Sequence, residues 1–329
     1  MSKGGVLGVI LGGVILRLDR IVARVAGEQY CSGLPMNCRQ LGNRGPAIPI
    51  LGMGGQNVFS MGTFDEARKV FRACIDAGVR YVDTAYSYAK SQDRLGRLFA
   101  EGVPELFVAT KSTQRERDDF LRELDESIEL LGRTPDLLHV HAVSKGQSQE
   151  VMKHGGALEA ANEARDRGLC QFVGITSHDD PQACEEIVRF GEGVDVAMVA
   201  ISAGDTRFLD GFVPLCRSRG VGVVAMKIMG RGQLVRPDGP GAQSGAQALR
   251  FALSQPVSLA IVGFSYPSEV SELAEEATDF QPMTGPEMRD LVDGTIPYSQ
   301  DVLFYRDEVG DWDSVKEMRP SPEFYEEGL

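Results

Sequence analysis

The chain has 329 residues and a formal net charge of −13, from 47 Asp and Glu against 34 Lys and Arg. That balance argues against a nucleic-acid partner, whose usual footprint is a basic face, and reads as a device for solubility. An apolar content of 43% supports a sizeable core; the length suits two domains, or one α/β barrel of about 250 residues with extensions. The six cysteines, at positions 31, 38, 74, 170, 184 and 216, include no C-x-x-C pair and no metal-ligand spacing. They read as reduced thiols of a cytosolic protein, and no metal site is expected.

Gly4 to Leu16 is an apolar, glycine-rich run, too short for an ordinary membrane span. Leu18, Ile21, Val22 and Val25 follow at helical spacing with arginines between them. Residues 1–35 are best read as a non-essential extension. A membrane-surface helix is a weaker reading, and a secretory signal is weaker still because Arg24 stands where cleavage wants a small residue. Met36 to Pro49 reads as a hairpin around a Gly/Asn turn, and Ile50 to Gly54 as a first core strand. Thr63 with Glu66 three residues on is a capping box for a helix whose apolar face carries Ala67, Val70, Phe71 and Cys74.

Strand and helix then alternate. The spacing predicts strands at Leu106–Thr110, Leu137–His141, Gln171–Thr176, Val194–Ile201, Val221–Ile228 and Leu259–Val262. It predicts helices at Asp93–Ala100, Glu116–Leu131, Ala157–Arg167, Pro181–Phe190, Phe208–Arg219, Ala246–Ser254 and Ser268–Ala277. The strands are nearly unbroken apolar runs, as doubly covered parallel strands are, and about eight units are present, the number of a closed (β/α)8 barrel. After residue 280 the period fades: Gly285 to Asp293 reads as one more helix, and the acidic Asp307 to Leu329 as a tail.

The chemistry collects at three successive strand ends. Asp83 follows Tyr81-Val82, Lys111 follows Leu106 to Thr110, and His141 follows Leu137 to Val140. Residues at the carboxyl ends of barrel strands face the active site. An ammonium beside a phenol favours phenolate, so Lys111 is expected to lower the pKa of a neighbouring tyrosine, with Asp83 keeping Lys111 charged. Such a set can protonate a carbonyl oxygen while hydride reaches its carbon.

Asp83-Thr84-Ala85-x-x-Tyr88, then Lys90-Ser91-Gln92-Asp93-Arg94-Leu95-Gly96, resembles the aldo-keto reductase signature. Asp136 to His141 resembles the same family's fourth-strand motif. The resemblance covers about residues 36–280 and implies a TIM barrel whose floor is closed by the hairpin, with extensions at 1–35 and 281–329. It implies Asp83, Tyr88, Lys111 and His141 as the catalytic set. The spacing selects Tyr88 over Tyr86 and His141 over His139. No G-x-G-x-x-G follows a strand, so a Rossmann domain is not indicated.

The family instead implies a dinucleotide across the last strand ends. Thr176 and Ser177 would meet the nicotinamide. Met226, Lys227, Gly230, Arg231, Gly232 and Leu234 belong to a loop over the pyrophosphate, and Gly263, Phe264, Ser265 and Glu269 to the adenosine end. Two departures stand out. Met198 and Met226 take positions that are often Gln and an aromatic. Glu269 lies where an Arg often pairs with the 2′-phosphate, so NADP(H) is expected with NAD(H) as the alternative. The implied function is reversible reduction of a small carbonyl compound in the cytoplasm. The two methionines leave open a non-catalytic dinucleotide-binding protein of the same fold, and the Lys and His a barrel lyase or isomerase.

Overall fold

The computed structural model describes residues 29–299 and residue 303. The apolar run at 4–16, the spacing at 18–25 and the acidic tail from 307 lie outside the described residues. The chain opens with the antiparallel strands β1 (Cys38–Gln40) and β2 (Ala47–Pro49), the expected hairpin. Eight parallel strands follow: β3 (Leu51–Gly54), β4 (Tyr81–Asp83), β5 (Phe107–Ser112), β6 (Leu137–Val140), β7 (Phe172–Ser177), β8 (Val196–Ala200), β9 (Gly222–Met226) and β10 (Leu259–Val262). They close in sequence order, with β10 pairing back onto β3. This is the (β/α)8 barrel that the alternation predicts.

The outer layer is α2 (Phe64–Asp76), α3 (Ser91–Ala100), α4 (Arg117–Leu131), α6 (Ala157–Asp166), α7 (Pro181–Phe190), α8 (Phe212–Arg219), α9 (Gly245–Leu253) and α10 (Pro267–Thr278). Two short helices, α1 (Val58–Met61) and α5 (Ser148–Met152), lack a readable period because four or five residues make little more than one turn. The Thr63–Glu66 capping box forms as expected. Helix α11 (Gly285–Thr295) runs two residues past its predicted end, and Met288, Leu291 and Val292 pack it against Leu234, Ala248 and Phe251.

Side chains of each strand alternate between two cores, as a two-residue period requires. Val82, Val108 and Val173 face the helices. Tyr81, Phe107, Leu137, Val196 and Val224 face the barrel axis, where Tyr30, Leu41 and Ile48 from the hairpin side join them. Tyr30 meets Phe107 edge-on at 5.8 Å and is 2% exposed. The helix ring is fitted just as closely. A Cβ on Gly96 would lie 2.1 Å from the Leu130 carbonyl oxygen, so only glycine lets α3 approach α4 there.

One expectation is corrected. Cys31 and Cys38 form a disulfide, where the sequence suggested only thiols. The spacing of seven matched no common motif; the pairing follows from the hairpin folding back over the segment that carries Tyr30. Cys74, Cys170, Cys184 and Cys216 are buried and free, as expected. Among the described residues no three potential ligands gather into a metal site, and no helix is long and apolar enough to cross a membrane.

Candidate active site

Parallel register brings the three strand ends together. Lys111 pairs with His139 across β5 and β6, and Asp83 pairs with Ala109, two residues before Lys111. Residues two apart share a strand face, so Asp83 and Lys111 both point inward. Lys111 Nζ donates to Asp83 Oδ2 at 2.6 Å and to the Thr84 carbonyl at 2.7 Å. Both side chains are almost wholly buried. An ammonium so placed is tolerable only because it is paired and hydrogen-bonded. Burial pushes the Asp83 carboxyl above its ordinary value, against the pull of Lys111. Asp83 Oδ1 has no partner among the described residues.

Lys111 Nζ also lies 4.8 Å from the centre of the Tyr88 ring. The rival tyrosine is settled by its contact: Tyr86 donates to Glu126 on α4 and so faces away from the barrel mouth. The expected lowering of the Tyr88 pKa is corrected. Burial is the largest influence and raises it above 10.0; Lys111 pulls it down but does not win. Tyr88 therefore holds its proton at neutral pH.

His141 meets Tyr88 edge-to-face, with ring centroids 5.7 Å apart and planes at 75°. Burial, then the charge of Lys111, lowers its pKa to about 2, so the imidazole is neutral. Its Nδ1 is buried without a partner among the described residues. His139, deeper in the barrel and wholly buried, is held neutral by the same two influences.

A cavity of about 690 Å³ opens beside this cluster. Asp83, Tyr88, Met198, Met226, Lys227, Arg231, Gly232, Gly263, Ser265 and Glu269 line it, ten of the residues singled out from sequence. Lys227 and Arg231 both hold left-handed backbone, at φ 58 and 56, which a side chain adopts only under local strain. Burial, then the nearby Arg231 and Lys111, lowers the Lys227 pKa to about 8.

The structure keeps seven of the remaining residues out of the cavity wall. Lys111 and His141 touch Tyr88 instead. Leu234 and Phe264 are packed into apolar cores, and Gly230 is buried in the turn that precedes Gly232. Thr176 Oγ1 accepts from the Ala142 amide at 2.8 Å, and Ser177 Oγ accepts from the amides of Asp179 and Asp180. Their polar atoms thus shape neighbouring loops.

Other residues escaped the sequence reading. Asn57 lines the cavity and donates to the Gly263 carbonyl at 3.0 Å and to Ser265 Oγ at 2.8 Å. His178 is half-buried near the charges of Lys227 and Lys111, with its pKa lowered to about 3, chiefly by desolvation. Asn57 sits in a short polar segment with no periodicity, and nothing in the sequence marks it. His178 directly follows Thr176 and Ser177, which the sequence had singled out, and that adjacency is its signal.

A closed barrel with a tyrosine over a buried Lys–Asp pair, beside a long cavity at its carboxyl rim, defines a class of barrel oxidoreductases. The Aldo/keto reductase family model matches residues 51–245, and the chain belongs to that family. L-galactose dehydrogenase of Arabidopsis thaliana is 27% identical over 285 residues, covering 74% of this chain and 88% of that protein. D-threo-aldose 1-dehydrogenase of a Pseudomonas species is 29% identical over 237 residues, covering 59% and 70%. Among solved structures, an aldo-keto reductase of Bombyx mori in complex with NADP aligns with a TM-score of 0.63 at 22% identity, over 78% of this chain and 92% of that one.

Proposed function

We propose that this protein moves hydride between a nicotinamide dinucleotide, NADP(H) or NAD(H), and a small aldehyde or ketone, or the corresponding alcohol, with Tyr88 as general acid and base. The observation that carries this reading is the triangle at Tyr88: Lys111 Nζ 4.8 Å from its ring centre, Asp83 2.6 Å from that ammonium, and the neutral His141 ring at 5.7 Å.

The cavity suits a dinucleotide. Its volume lies within the roughly 300–1,000 Å³ of small-molecule sites. Gly54, Gly55, Gly232, Gly245 and Gly263 bring bare backbone to the wall, while Lys227 and Arg231 supply cations for phosphates. Gly232 sits at φ 91 with nothing within 4 Å of a would-be Cβ, so the wall there is open. When bound, the nicotinamide supplies or receives the hydride. Met198 and Met226 give the ring a soft apolar surface. Tyr88 Oη delivers the proton to the carbonyl oxygen as the carbon gains hydride, and takes it back in oxidation. His141, uncharged, donates a hydrogen bond to the same oxygen without offering a competing acid. Lys111 stabilises the phenolate left behind, and Asp83 holds Lys111.

NADP(H) is supported by the dinucleotide held in the Bombyx mori relative, and NAD(H) by Glu269, whose carboxylate occupies the amides at the start of α10. The names of the plant and Pseudomonas relatives, an L-galactose dehydrogenase and an aldose 1-dehydrogenase, make aldoses the first sugars to test. The test is nicotinamide absorbance with both dinucleotides against aldehydes, ketones and aldoses. Turnover lost in Tyr88→Phe with dinucleotide binding kept is the expected result. Full turnover in that variant overturns the assignment, and dinucleotide binding without turnover in the unaltered protein favours a binding protein.

A further inference from the structure

The turn after β6 is held by an arginine that plays no part in the scheme above. Arg115 lies in the loop between β5 and α4. Its Nη2 donates to the His141 carbonyl at 2.9 Å, the Ala142 carbonyl at 3.1 Å and Gln147 Oε1 at 3.0 Å. Nη1 donates to the Thr113 carbonyl at 2.9 Å. Among the described residues no hydrogen bond from this guanidinium goes to a carboxylate: its donors go to backbone carbonyls and one amide, with Glu150 acting on it only through charge. Such a site uses the fork of an arginine, which a single ammonium cannot reproduce.

What it holds is strained. Ala142 has φ 52, the left-handed region that alanine rarely enters. The same turn is fixed from its other side, where the Ala142 and Val143 amides donate to Thr176 Oγ1 and the Thr176 carbonyl. The His141 amide donates to the Ser112 carbonyl at 2.8 Å. Gln147 Oε1 accepts from the Ser144 amide as well as from Arg115, extending the clamp into the next turn. His141, by contrast, has no hydrogen bond on its Nδ1 to fix its ring. Its orientation against Tyr88 therefore comes from the backbone beneath it.

We propose that Arg115 is a positioning residue: by clamping the carbonyls of His141 and Ala142 it sustains the left-handed turn that aims the His141 ring at Tyr88. This rests on the reading of His141 as the group that orients the substrate oxygen, but the position of the ring can be measured without turnover. Arg115 is absent from the cavity wall, so dinucleotide binding is a control.

The experiment compares the unaltered protein, Arg115→Met, and Arg115→Met with Ala142→Gly. Nuclear Overhauser contacts between the His141 and Tyr88 rings report geometry, and steady-state kinetics report kcat and KM separately. The expected result for Arg115→Met is loss of the ring contact and a fall in kcat of roughly ten- to a hundredfold, as for a misplaced orienting group, with KM and dinucleotide affinity little changed. Glycine enters the left-handed region freely, so adding Ala142→Gly is expected to restore much of both. A general loss of stability would not be rescued in that way. Arg115→Met with the ring contact intact overturns the proposal, whether or not the protein turns over a carbonyl. Should that variant not fold, Arg115→Lys is read by the same two measurements.

Discussion

Lys111 Nζ sits 2.6 Å from Asp83 Oδ2 inside the barrel, and both side chains are almost wholly buried. Removing one partner strands the other as a buried charge. Asp83→Asn is therefore expected to destabilise the fold by about 3–5 kcal/mol, measured by urea unfolding, as well as to reduce turnover. The double variant Asp83→Asn with Lys111→Met removes both charges and is expected to recover most of that stability but none of the activity.

The raised Tyr88 pKa sets the direction of a pH effect. Burial keeps the phenol protonated through neutral pH, with its ordinary value of 10.0 as a lower bound. Reduction needs the phenol and is expected to be flat around neutrality. Oxidation needs the phenolate and is expected to rise about tenfold per pH unit until other groups fail. Initial rates in both directions against pH, at saturating dinucleotide, measure this. An oxidation rate that levels off near neutrality contradicts it.

Two buried histidines and the half-buried His178 make the fold sensitive to acid. His141 is lowered to about 2 and His178 to about 3 from an ordinary 6.5, and His139 lies well below it. Above 6.5 the folded and unfolded chains are both neutral at these sites, and the full stability is present. Below it the unfolded chain takes up protons that the folded chain refuses, so stability falls with pH by up to about 1.4 kcal/mol per pH unit for each histidine. Denaturant midpoints across that window are expected to show the slope, and His178→Gln to reduce it.

Glu269 gives a prediction about cofactor choice. Its Oε2 accepts from the Ser265 amide at 2.6 Å and the Tyr266 amide at 3.2 Å, donors that a phosphate at the helix start would use. Glu269→Gln removes the negative charge from this end of the cavity. The ratio of NADPH to NADH affinity, from quenching of protein fluorescence, is expected to rise by about tenfold, the effect of 1.4 kcal/mol. An unchanged ratio excludes Glu269 from discrimination.

The Cys31–Cys38 bridge fastens the segment that carries Tyr30 to the hairpin under the barrel. Closing so short a loop contributes about 2 kcal/mol in the chain-entropy account. Cys31→Ser with Cys38→Ser, or reductant, is expected to lower the melting temperature by a few degrees and to leave kcat nearly unchanged, since the floor lies at the opposite end from Tyr88. Scanning calorimetry and steady-state rates measure the two.

The periodicity alone determined the architecture: eight apolar runs alternating with amphipathic helices, because strands covered on both faces and helices covered on one leave that pattern in any sequence. It also determined Asp83, Lys111 and His141 as residues at strand ends, since a charge directly after an apolar run is conspicuous. Only the tertiary structure decided which of two nearby tyrosines faces the barrel mouth, because that depends on Glu126, forty residues away. Only it could set the balance at Tyr88, where the pull of a known neighbour is outweighed by an enclosure to which many elements contribute. Asn57 and Arg115 were invisible for a related reason: their partners include backbone carbonyls far along the chain, and a carbonyl has no letter in the sequence.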